Sequence, residues 1–121
     1  CLGLDRGNIY GADSPVVVEN TRIRSAMKDD SLNIKLAGLA DLVVQQIVEY
    51  KKYGFEVIGM IGANRSPNCG VDTTSDYNAE INGMGLFVEK IVKRISEENI
   101  SVPMIGIKGT DNIREKLQQL I

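Results

Sequence analysis

Apolar residues recur every three or four positions between residues 30 and 52. Leu36, Leu39, Val43, Ile47 and Tyr50 form a stripe that Ala40, Val44 and Val48 widen. That spacing predicts a helix with one buried face. Asp30 or Ser31 can cap its start, Glu49, Lys51 and Lys52 fall on or near its wet side, and Gly54 stands where a left-handed residue ends helices. Residues 55–61 then run apolar at both parities, the pattern of a strand covered on both faces in a parallel sheet. A second stripe, Leu86 or Phe87, Val88, Ile91, Val92 and Ile95, predicts a helix over about 84–98, with Lys90, Lys93, Arg94 and Glu97 outward. Residues 101–107 read as a second short strand, in which Pro103 must sit where no ladder donor is needed. Thr110 or Asp111 caps a last helix to Ile121, with Ile113, Leu117 and Ile121 on one side.

Two stretches resist this reading. The first thirty residues are punctuated by Gly3, Gly7, Gly11 and Pro15. Within them Val16, Val17 and Val18 form a β-branched run too short for a central strand, and residues 21–28 allow a helical turn or two capped by Asn20 or Thr21. Residues 62–85, rich in Gly, Asn, Asp, Ser and Thr, read as a long irregular loop, a feature that is usually functional. With no repeat and no linker, residues 1–121 read as a single domain. Alternation of helix and strand implies an α/β fold of Rossmann-like or flavodoxin-like type, a parallel sheet flanked by helices. Two strands cannot cover themselves, so the domain reads as lacking its first strand. The Val16 region joins the sheet, strands precede Cys1, or a partner chain, a homo-oligomer included, completes it.

Composition narrows the chemistry. Fourteen basic and sixteen acidic residues leave a net charge of −2 on 121 residues, which offers no general attraction for nucleic acid or an anionic membrane. Histidine is absent, which removes Ser-His-Asp and Cys-His nucleophiles and His-ligated metal. Only Cys1 and Cys69 supply thiols, and two do not make a disulfide framework. No apolar run is long enough to span a bilayer, and a cytoplasmic setting is the default expectation. The chain begins with Cys rather than Met.

In an open α/β sheet, ligands gather outside the carboxyl ends of the strands. The strand ending at Ile61 delivers the chain into the densest polar constellation of the sequence, with Gly62, Asn64, Arg65, Ser66, Asn68, Cys69 and Gly70. Gly62 and Gly70 permit tight turns, Pro67 stiffens the loop, and backbone amides there are expected to cradle an anion or a sulfur cluster. A thiolate at Cys69 is favoured among such donors. The competing reading is a glycine-rich surface loop with an incidental cysteine. Arg22, Arg24 and Arg65 could meet an anionic ligand but read more simply as solvated surface. Asp29 and Asp30 read as helix-start charge, and Asp72, Asp76 and Glu80 match no EF-hand spacing.

Residues 46–50, 54–62 and the run Ser66-Pro67-Asn68-Cys69-Gly70-Val71 resemble a bacterial family related to the catalytic domain of thiouracil desulfurases. Residues 102–107 are similar to its terminal strand, and the likeness covers about 40–107. The family's Ser-Pro-Ser-Cys-Gly element occurs here with Asn68 in place of the second serine. The resemblance implies a 4Fe-4S cluster held by three cysteines, with one iron open to take sulfur from a thiolated pyrimidine. Cys69 would be one ligand and Cys1 a second, and Ser66 would assist proton transfer. Cys1 is followed by Leu2-Gly3 rather than Pro-Glu, and a third ligand is not in this sequence. The alternatives are a non-catalytic module that holds a small anionic or nucleotide-like ligand through the 62–70 loop, and an oligomeric structural domain.

Overall fold

The computed structural model describes residues 15–121. Cys1 and the glycine-punctuated start lie outside the described residues. The first helix, α1, runs Val16–Met27. The valine run is therefore its first turn rather than a strand, and neither Asn20 nor Thr21 starts it. Pro15 has the fixed φ that suits a helix start, and its carbonyl accepts from Val18 and Glu19 at 3.0 and 3.2 Å. Asn20, Ile23, Arg24 and Met27 share the buried face.

Helix α2 spans Asp30–Lys52, and its cap is Asp29, one residue ahead of the expected positions. The Asp29 carboxylate accepts from the Ser31 amide at 3.1 Å and the Leu32 amide at 3.4 Å, and from the Ser31 hydroxyl at 2.6 Å. The hydroxyl first, then the amides, hold that carboxyl below its usual range. Gly54, at φ 86°, ends the helix as expected. Phe55 donates back to Tyr50 at 2.9 Å and Gly54 to Lys51 at 3.2 Å, the paired bonds of a Schellman motif. The Tyr50 and Phe55 rings meet edge to face at 5.9 Å and close it.

Strand β1 is Met60–Ala63, so residues 55–59 approach the sheet without ladder pairing, later than the 55–61 strand the pattern predicts. It pairs in parallel with β4, Met104–Ile107, in the register Met60 with Met104 through Ala63 with Ile107. The long loop is not irregular throughout. It contains an antiparallel hairpin of β2, Thr73–Asp76, and β3, Ala79–Asn82. Tyr77 and Asn78 form its two-residue turn with φ 51° and 56°, the left-handed pair of a type I′ turn. Helix α3 covers Leu86–Glu97 and α4 covers Ile113–Gln118, the latter capped by Asn112 through the Glu115 amide rather than by Thr110 or Asp111.

Among the described residues the fold is thus mixed α/β, with four helices, a two-stranded parallel sheet and an antiparallel pair. Ala40, Val44 and Ile47 of α2 pack on Ile91 and Ile95 of α3, and Met60 and Met104 of the sheet close against them. Arg94 ties the two helices outside this core through Asp41 at 2.5 Å, and Glu97 first, then Asp41 and Glu98, hold its proton more firmly than usual. The opposite face of the sheet is unevenly covered. α4 packs on β4 and Ile105 is 8% exposed, whereas its parallel partner Ile61 is 51% exposed. The stripe expected on the last helix is not buried: Ile113, Leu117 and Ile121 remain exposed. No helix among the described residues is long and apolar enough to cross a membrane.

Candidate functional site

The carboxyl ends of β1 and β4 open into a pocket of about 650 Å³. Asn64 and Arg65 line it from the β1 side, Lys108, Gly109 and Thr110 from the β4 side, and Ile107 and Ile113 give it apolar wall. Asn64 extends the parallel ladder, its amide donating to the Ile107 carbonyl at 2.9 Å. Its side chain is held by three bonds: Oδ1 accepts from the amides of Val71 at 3.3 Å and Asp72 at 3.0 Å, and Nδ2 donates to the Asp72 carboxylate at 3.0 Å. That side chain occupies the space a Cβ on residue 106 would need, which accounts for Gly106 in β4. The Cys69 carbonyl fills the same space over Gly62 in β1.

Arg65 has φ 73°, a left-handed conformation that side chains rarely adopt. Three bonds from the hairpin hold it there. Its amide donates to the Thr73 carbonyl at 3.1 Å and hydroxyl at 3.0 Å, and its carbonyl accepts from the buried Ser75 hydroxyl at 2.5 Å. The Ser66 hydroxyl next accepts from the amides of Asn68 at 3.2 Å and Cys69 at 2.9 Å, while the Ser66 carbonyl accepts from Gly70 at 3.2 Å.

These bonds correct one expectation. The amides of Arg65 and of residues 68–72 all point into the protein's own acceptors, so the loop presents no amide cradle to an anion. Its carbonyls face the other way. Pro67 accepts from Leu86 at 3.0 Å, and Asn68 from Phe87 at 3.1 Å and Val88 at 3.2 Å. The loop is therefore the N-terminal cap of α3, which has no side-chain cap of its own.

A second correction concerns Arg24, read from sequence as solvated. It is 9% exposed, and one guanidinium nitrogen donates to the Thr74 hydroxyl at 3.1 Å and the carbonyls of Met84 at 3.2 Å and Pro67 at 3.5 Å. Asp76 lies 3.4 Å away. Its spacing of four from Asn20 and three from Met27 was the available signal that it shares the buried stripe. Arg22 is bonded to Glu19 at 2.6 Å on the exposed side of α1.

Of the ligand-contacting residues expected from sequence, Asn64 and Arg65 line the pocket. Gly62, Asn68 and Gly70 act as packing and turn positions behind it. Cys69 is a half-buried free thiol, the one thiol among the described residues. Lys108 and Thr110 were missed, although the rule that singles out the end of β1 applies equally to the end of β4. Glu80 was read only as a weak cation ligand. It sits 2.6 Å from the Lys108 ammonium with both oxygens and accepts from the Thr73 hydroxyl at 2.8 Å. Lys108, then Thr73, hold its carboxyl below its ordinary range, with a smaller contribution from the Arg65 charge.

No group of three His, Cys, Asp or Glu side chains among the described residues could hold a metal. Cys69 by itself cannot bind a cluster, which needs several thiolates. Comparison of the chain with protein-family models, with curated proteins and with solved structures found no match.

Proposed function

We propose that the protein is a desulfurase-like iron–sulfur protein that acts on a small thiolated ring such as a thiopyrimidine. In this reading β1 and β4 are neighbouring strands of a Rossmann-like parallel sheet, the 650 Å³ pocket receives the substrate, and Cys69 is one cluster ligand. The supporting observation is convergence. The thiol-bearing turn leaves the carboxyl end of β1 and the polar pocket opens at the same end, where α/β proteins place their ligands. The reaction balances as hydrolysis: a carbon–sulfur double bond and water give a carbonyl and hydrogen sulfide. A cluster with an open iron would supply the Lewis acid. The chain's own contributions are to orient the ring between Ile107 and Ile113, to bind its polar edge through Arg65 and Thr110, and to hold Cys69 by the hydrogen bond its backbone N–H donates to the Ser66 hydroxyl. The Ser66 hydroxyl keeps its own proton for donation, since both of its turn bonds are accepted ones.

Anaerobic incubation of the full-length gene product with iron and sulfide tests this, since the reading needs a third ligand beyond Cys1 and Cys69. The wild type should develop the broad visible absorption of a cluster and release sulfide from 2-thiouracil, and Cys69→Ser should lose both. A colourless wild type with reduced thiols refutes the reading.

A second reading, a non-catalytic module for small anions, is favoured by one observation: the pocket is lined by Arg65 and Lys108 and not by Cys69. It predicts that Cys69→Ser leaves ligand affinity unchanged and that no sulfide is released.

A further inference from the structure

Both cations of the pocket lie on its rim, and their circumstances differ. Lys108 is neutralised in place: both Glu80 oxygens lie 2.6 Å from its ammonium, and Glu80 is fixed in turn by Thr73. Arg65 makes no hydrogen bond or ion pair through its side chain among the described residues. Arg65 is therefore the cation of the pocket that no carboxylate is bonded to, and it is a guanidinium.

The backbone under that guanidinium is costly. Glycine would adopt φ 73° freely, yet an arginine stands there, kept in place by the bonds to Thr73 and Ser75. Strained residues held by their surroundings cluster at ligand sites, and Arg65 lines the pocket. Asn64 adds shape and one Nδ2 hydrogen, its other bonds being spent on Val71 and Asp72. Ile107 and Ile113 add apolar wall.

We infer that Arg65 anchors the ligand of this pocket, and that the ligand is a small planar monoanion, a ring bearing one carboxylate or one thiolate. The inference rests on the reading of this end as a small-molecule site. The planar fork of the guanidinium matches a carboxylate edge with two parallel hydrogen bonds, which an ammonium does not. Glu80 is not a wall of the pocket but is bonded to Lys108, which is. By offsetting that ammonium and opposing a second negative charge, Glu80 is the specificity residue that favours monoanions. The volume suits a single ring with substituents.

The test uses the full chain and three probes: benzoate as a planar monoanion, uracil as a neutral ring, and inorganic phosphate at mildly alkaline pH as a dianion. Binding is read by NMR shift titration, and the thermal midpoint is recorded in parallel. The wild type should bind benzoate more tightly than the other two. Arg65→Gly should weaken benzoate about tenfold or more while its thermal midpoint holds or rises, since the strain is relieved. Arg65→Lys keeps the charge but loses the fork, and should bind between the two. Glu80→Gln should tighten phosphate by freeing Lys108. Wild type that ignores benzoate overturns the inference, as does Arg65→Gly binding it within about twofold of wild type or melting well below it. Cluster formation is scored separately by visible absorption, so benzoate binding without a cluster sinks the desulfurase reading alone, and a cluster without benzoate binding sinks this one alone.

Discussion

Replacing Gly106 by alanine should disturb the site through one identifiable neighbour. The new methyl would collide with the Asn64 side chain, which fills the space above residue 106. Asn64 cannot simply rotate, because that abandons bonds to Val71, Asp72 and the Asp72 carboxylate at 3.3, 3.0 and 3.0 Å. Each such bond is worth about 1 kcal/mol net. Val71 is half-buried and Asp72 exposed, so water recovers part of the loss. The expected cost of Gly106→Ala is about 2–3 kcal/mol, measured by urea unfolding with the slope unchanged. Asn64→Ala should cost a similar amount by removing the same bonds. The discriminating measurement is the double variant. With the amide gone there is nothing for the methyl to strike, so Gly106→Ala in the Asn64→Ala background should cost little more than Asn64→Ala alone. That is a coupling energy of about 2 kcal/mol. Simple additivity of the two single costs would show that the glycine is required for another reason and that the account is wrong.

Three further outcomes follow from other parts of the molecule. Ile91, 2% exposed between α2 and α3, should cost about 3 kcal/mol as Ile91→Ala, and a denaturant midpoint within error of wild type would contradict the core as described. Glu80 has a carboxyl held below its ordinary range, so its bond to Lys108 stabilises the protein above the unfolded glutamate value of about 4.3 and fades as acid titrates it below that. Thermal midpoints recorded on acidification should therefore fall less steeply for Glu80→Gln than for wild type, and parallel acid limbs would refute this. Asn99, left-handed at φ 56° after the end of α3, should be replaceable by glycine with a gain of a few tenths of a kcal/mol, checked by the same unfolding assay.

The helices were the most legible part of the fold because their pattern is local. The stripe from Leu36 to Ile47 and the stop at Gly54 are written in neighbouring residues. Tyr50 departs from that stripe because the closing turn takes its ring to Phe55, on the exposed side. Strand limits were less legible, since apolar residues 55–58 look like strand whether or not a neighbour is there to pair. The β2–β3 hairpin was hidden by its composition. Six of its eight strand residues are polar, only Ala79 and Ile81 being apolar, and Tyr77-Asn78 is an unusual pair for a turn more often built on Asn-Gly or Asp-Gly. At the site, position relative to the strand end singled out Asn64 and Arg65, and both line the pocket. Direction was invisible: nothing in the spacing says that the amides of residues 68–72 turn inward, or that an arginine in α1 reaches Pro67 across 43 positions.

The capping of α3 by Pro67 and Asn68 makes two regions of the molecule one thermodynamic unit. Leu86, Phe87 and Val88 lose their acceptors whenever the Ser66–Gly70 turn opens, so the exchange rates of those three amides gauge the order of the thiol-bearing turn from a distance. The gauge needs no ligand and no label on Cys69. It also sets a mechanical limit, because a rearrangement large enough to move Cys69 frays the first turn of a helix whose Ile91 and Ile95 belong to the core. The thiol is carried on the least movable end of its loop.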